Sequence, residues 1–71
     1  MAHEQNAELA QLTQRQREIA SLLSETGLSY KEVASKLEIS TGTMRKHVEN
    51  VYRRIGVHSR AELMVRLTRT H

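Results

Sequence analysis

The chain has 71 residues and a net charge of +3, and it contains no cysteine, proline, tryptophan or phenylalanine. A chain of this size buries only about 60% of the surface it exposes when unfolded, so there is room for one small domain and little for a deep catalytic cleft. Without cysteine, neither a disulfide nor a thiolate metal site can brace the fold, and aliphatic helix packing must do so. No stretch approaches the roughly 20 apolar residues of a membrane span. The segment before Leu12 lacks the apolar run of a signal peptide, which leads us to expect a cytoplasmic chain.

The first 11 residues are polar with scattered alanine and leucine, and are expected to form a frayed arm or a short extension of the helix that follows. The domain is expected over residues 12–69, as four helices at about 14–25, 30–37, 41–55 and 60–68. Three of these starts carry a capping box, in which one side chain accepts the amide three residues on and that residue reaches back: Thr13 with Gln16, Ser29 with Glu32, and Ser59 with Glu62. Ser40 supplies a fourth cap. Leu28 and Ile39 stand where they can staple to Val33 and Met44. Gly27 and Gly56 read as left-handed helix stops.

Apolar residues fall on single helical faces: Ile19, Leu22 and Leu23; Val33, Ala34 and Leu37; Met44, Val48, Val51 and Ile55; Leu63, Met64 and Leu67. The fold class is therefore all-α. Tyr30 and Tyr52 read as boundary packers, with the Tyr52 hydroxyl meeting water.

Charge is unevenly distributed: residues 1–39 sum to −2 and residues 40–71 to +5. A basic C-terminal half suits a polyanionic partner. On the third helix, at about 100° per residue, Gly42, Arg45, Lys46, Glu49 and Arg53 collect opposite the apolar stripe. Such a face can enter a DNA major groove, where Arg or Lys reads guanine O6 and N7 and Glu accepts from cytosine N4. A merely solvated charged face is the alternative. The short second helix, the tight turn at Glu38 and Ile39, and the third helix together form a helix-turn-helix arrangement, with two helix starts suited to phosphate oxygens.

The pieces LTQRQREIASLL, GLSYKEVASKLEIS, TGTMRKHVENVYRRIGV and HSRAELM, in this order from Leu12 to about Leu67, resemble the DNA-binding domain of the LuxR/GerE family of bacterial transcription regulators. The resemblance implies a four-helix domain whose third helix enters the major groove. It places base contacts on Arg45, Lys46 and Glu49. Phosphate contacts fall at Thr43 and at the starts of the second and third helices, Ser29, Tyr30, Lys31, Ser40 and Thr41, with Asn50 and Arg53 added. The chain departs from the family pattern with Tyr30 in place of Asn, Met44 in place of Val and Gln16 in place of Glu. Ser24 to Thr26 is one residue longer than the pattern.

His47, between the two stripes, is a phosphate donor or a partly buried structural residue. His3, His47, His58 and His71 lack the paired spacing zinc prefers, so no metal or other cofactor is expected. Glu18 and Glu32 are expected in solvated or capping roles. On the fourth helix Ala61, Val65 and Thr68 form a strip of small residues suited to a symmetric homodimer, which would read a roughly palindromic site.

Sequence-specific binding of double-stranded DNA in transcription regulation is thus the leading expectation, with RNA polymerase a further partner. The alternative is an adaptor that docks an acidic protein through the same basic face. No nucleophile, glycine-rich phosphate loop or paired carboxylates point to an enzyme. Met1 is compatible with a complete small regulator and with a domain of a larger protein.

Overall fold

The computed structural model describes residues 9–68. Within them a single 3-10 turn, Leu9–Gln11, leads into α1 (Gln14–Glu25), α2 (Tyr30–Lys36), α3 (Thr41–Ile55) and α4 (Arg60–Thr68). α1 is the central support, packing on both α4 and α3, while α2 rests on α3. Ile19, Leu23, Val33, Met44, Val51 and Leu63 are fully buried where these helices meet. Each such aliphatic side chain contributes about 1.5 to 3 kcal/mol relative to exposure, and their joint burial fixes α3 from one side.

Helix starts follow local side-chain chemistry. Thr13 and Gln16, and Ser29 and Glu32, form complete capping boxes. Ser40 accepts the Thr43 amide at 3.0 Å. The third box differs: Ser59 accepts from the Glu62 amide, but the Glu62 carboxylate takes the amide of His58, at 2.9 Å.

Helix ends depart further from expectation. Gly27 is not left-handed; Gly56, at φ 84, is the glycine with positive φ among the described residues. α1 is stopped instead by Thr26, whose backbone amide and hydroxyl both donate to the Leu22 carbonyl while its hydroxyl oxygen accepts the Leu28 amide. α2 ends one residue early, at Lys36, with Leu37 as its cap. Glu38 then adopts φ 60. The Ile39 amide reaches the Ala34 carbonyl and the Glu38 amide that of Ser35, the Schellman pattern that usually takes glycine at the left-handed position.

One further expectation is corrected and another narrowed. Of the two alternatives for the arm, a frayed segment or a short helical extension, residues 9–11 are ordered as a 3-10 turn ahead of α1: Leu9 packs on the core, Leu12 is buried, and Arg54 on α3 donates to the Gln11 carbonyl at 3.2 Å. Leu9 within the turn and Leu12 just after it give this segment an apolar face to bury. Met64, expected in the core, stays 38% exposed, because α4 turns Leu63 and Leu67 inward and Met64 lies off that stripe. Residues 1–8 and the expected domain end at position 69 lie outside the described residues.

Candidate nucleic-acid interface

α3 is amphipathic in the strict sense. Met44, Val48, Val51 and Ile55 are buried, whereas Thr41, Gly42, Thr43, Arg45, Lys46, Glu49 and Arg53 are exposed. The side chains of Arg45, Lys46 and Glu49 make no hydrogen bond or ion pair with any described residue. Gly42 sits at the same face, where an added Cβ would meet only Ser40 Oγ, at 3.9 Å. Packing within the chain therefore does not demand glycine there, and the face near Gly42 stays flat. Arg53 donates to Asn50 Oδ1 at 3.3 Å, so these two are joined on the exposed helix. His47 and Asn50 are half-buried on the flank.

The start of α3 is partly closed by its own cap. Ser40 Oγ accepts the Thr43 amide and donates to Thr43 Oγ1. At the start of α2, Ser29 Oγ is held by the Glu32 amide and the Glu32 carboxylate by the Ser29 amide. Glu32 thus has the capping role expected of it. Glu18 pairs with Arg15 on its own helix at 3.4 Å, both largely solvated. Lys31 is exposed.

Tyr30 and Tyr52 pack half-buried at the edge of the core, as expected, and differ from expectation at their hydroxyls. Their hydroxyls hydrogen-bond each other across α2 and α3, so the Tyr52 hydroxyl meets a protein group where the sequence suggested water. Burial, and secondarily the Tyr30 hydrogen bond, push the Tyr52 phenol above the usual tyrosine range. The Tyr52 hydroxyl remains protonated near neutrality. Above the Tyr30 ring, 5.9 Å from its centre, lies the Arg60 guanidinium. Arg60 also donates to the carbonyls of Leu23 and Thr26, each at 2.9 Å. Arg66 similarly donates to the Ile55 carbonyl at 2.8 Å. Sequence reasoning counted Arg60 and Arg66 only in the charge of residues 40–71 and missed these roles. The one signal that pointed to the tyrosine pair is that no other aromatic residue occurs in the chain.

On α4, Ala61, Val65 and Thr68 are all exposed, Val65 by 55%. Val57, Ala61, Glu62, Val65 and Arg66 line a shallow groove of about 320 Å³. The Thr68 hydroxyl turns back to the Met64 carbonyl, at 2.7 Å. Of the four histidines, His58 lies 3.8 Å from Glu62, and no group of three metal-ligating side chains occurs among the described residues. His3 and His71 lie outside them. No helix of the described residues is long and apolar enough to cross a membrane.

This geometry, four helices with the charged side of the third left bare, can be set beside known proteins. Residues 10–67 match the family described as bacterial regulatory proteins, luxR family. The chain belongs to that family. This luxR-family domain is 43% identical over 60 residues to YhjB of Escherichia coli (strain K12), covering 84% of this chain and 30% of that one. It is 41% identical over 58 residues to the spore germination protein GerE of Bacillus subtilis (strain 168), covering 82% and 77%. It is 38% identical over 58 residues to the transcriptional regulatory protein LnrK of the same organism, covering 82% and 26%. The domain thus spans under a third of YhjB and LnrK and about three quarters of GerE. No solved structure matches it.

Proposed function

We propose that this luxR-family domain binds double-stranded DNA sequence-specifically in transcription regulation, with α3 in the major groove. The observation that carries the reading is the bare face of α3, where Arg45, Lys46 and Glu49 are exposed and engage no other side chain or backbone group among the described residues. Side chains held free on a helix buried along its other side are available to base edges at no cost in broken internal bonds. Arg45 and Lys46 read guanine; Glu49 accepts from cytosine. Lys31, Thr41, Thr43, His47, Asn50 and Arg53, with the capping serines Ser29 and Ser40 beside them, surround this face as phosphate contacts. Tyr30 stands apart because its hydroxyl is turned to Tyr52.

The domain acts as a homodimer through α4. Exposed Ala61 and Val65, the neighbouring exposed Met64, and a groove flanked by Glu62 and Arg66 offer a self-complementary strip of small apolar surface. Thr68 Oγ1, bonded within its own helix, adds no unsatisfied donor there. Two recognition helices then read half-sites about one DNA turn apart. RNA polymerase is the further partner consistent with regulation, and the domain works without cofactor, as a binding module in the cytoplasm.

Selection of bound sequences from a random DNA pool tests the reading. A defined motif is expected, with Lys46→Ala and Glu49→Ala each relaxing preference at particular positions. Equal affinity for random and selected duplexes would instead favour an adaptor for an acidic protein. Analytical ultracentrifugation with operator should show two chains per site; one chain per site rejects the dimer.

A further inference from the structure

Both α2 and α3 carry residues proposed above to meet DNA, so their mutual setting decides whether one duplex can satisfy both. Among the described residues, one side-chain hydrogen bond joins the two helices, between the hydroxyls of Tyr30 and Tyr52. Tyr30 is the first residue of α2, and Tyr52 lies near the far end of α3. The link therefore bridges points remote from the tight turn at Glu38, where the chain already ties the helices together. Arg60 lies over the face of the Tyr30 ring while bonded to two carbonyls at the end of α1. The four helices are thus connected at one cluster, with the Tyr30 ring held at its hydroxyl and covered on one face.

We propose that Tyr30 and Tyr52 are positioning residues of the DNA interface: their hydroxyl pair fixes α3 against α2 so that Lys31 and the bare face of α3 meet the duplex in register. Tyr30 acts through Tyr52 and makes no phosphate contact of its own. Two helices held by this bond arrive pre-set, and binding need not freeze their relative motion. The proposal rests on the DNA-binding reading.

Tyr30→Phe and Tyr52→Phe keep both rings and remove only the hydroxyls. Dissociation constants for a selected duplex and a random duplex, measured across a salt series on chains shown folded by circular dichroism, read the effect. Each single variant is expected to lose roughly three- to tenfold affinity for the selected duplex, the scale of one neutral hydrogen bond. The slope of affinity on salt should match the parent's, and the double variant should lose no more than either single one. The ratio of selected to random binding should fall, which a purely structural loss would leave unchanged at temperatures well below melting.

Three results overturn the proposal. They are unchanged selected binding in both variants, single losses that multiply in the double variant, and a salt slope in Tyr30→Phe reduced by about 0.9, the mark of one lost phosphate contact. Should a phenylalanine variant melt too low for binding, hydrogen-deuterium exchange of the parent decides. Protection at the start of α2 that is low in the free parent and rises only on adding selected duplex counts against the pair. A parent that fails to prefer its selected duplex overturns the DNA-binding reading itself, an outcome separate from all of these.

Discussion

The cations of this domain divide between two regions that composition alone treats as one. On the outer face of α3, Arg45 and Lys46 project with no partner among the described residues. Along the seams between helices, Arg54, Arg60 and Arg66 donate to backbone carbonyls of Gln11, of Leu23 and Thr26, and of Ile55. All four carbonyls lie at or near an element's end, where the helix leaves acceptors without partners and where its dipole favours positive charge. Part of the +5 of residues 40–71 is therefore an internal capping system. The charge available to a polyanion is smaller than the sum, and it is concentrated on one helix.

The sharpest way to break this division is to remove a cation from each region. Arg60→Ala strips two bonds from a charged donor and a cation held over Tyr30. At about 1.5 to 3 kcal/mol for each bond to a charged group, reduced by partial exposure, the loss of stability is expected at about 2 to 4 kcal/mol in urea unfolding. Arg60→Lys should recover less than half of it, since one ammonium cannot serve two carbonyls as a planar fork does. If Arg60→Ala left stability within about 0.5 kcal/mol of the parent, the usual range for an ordinary surface change, the seam would not be a capping system.

Arg45→Ala should do the converse. Affinity for the selected duplex is expected to fall by about 1 to 3 kcal/mol, with preference relaxed at one base pair, and the unfolding midpoint should stay put. A fall in stability as large as the fall in affinity would show that Arg45 belongs with the structural arginines.

A finer separation comes from salt. Arg53→Ala is expected to lower the log-log slope of affinity on salt by about 0.9, as for one phosphate contact. Arg66→Ala removes the same formal charge and should leave that slope unchanged, while destabilising the α3–α4 corner through the Ile55 carbonyl. Equal slope changes in the two variants would mean that position matters less than net charge.

The unequal legibility of the two regions has a physical cause. Thr13, Ser29 and Ser40 announce helix starts because a side-chain oxygen satisfies an amide three residues away, wholly within the local sequence. Helix ends are settled at longer range. Arg60 reaches the Leu23 and Thr26 carbonyls from 37 and 34 residues away, and no spacing rule connects such positions. Gly27 looked like the natural stop for α1, yet Thr26 stops it, and the left-handed turn after α2 falls on Glu38, where tertiary packing of Ile39 overrides the preference for glycine. The bare face of α3 was legible because its 3.6-residue period separates Met44, Val48, Val51 and Ile55 from the charged residues without reference to the rest of the fold. Tyr30 and Tyr52, 22 residues apart, meet only after α2 has folded onto α3.

The smallest expected effect concerns the seam at high pH, and its sign follows from the Tyr52 phenol. Burial first, then the hydrogen bond with Tyr30, hold its folded-state pKa above the unfolded value, while the nearby Arg60 cation opposes them in part. The folded chain therefore keeps its proton more tightly than the unfolded chain. The stability this contributes is fully present below the unfolded pKa of about 10 and is lost as pH rises beyond it, because only the unfolded state then gains by ionising. In urea titrations from about pH 8 to about pH 11, the parent should lose stability more steeply above about pH 10 than Tyr52→Phe does, since the variant has no proton to lose at that position. Curves that fall in parallel would place the alkaline sensitivity outside the tyrosine pair and leave its hydroxyl bond without a measurable share in holding α2 to α3.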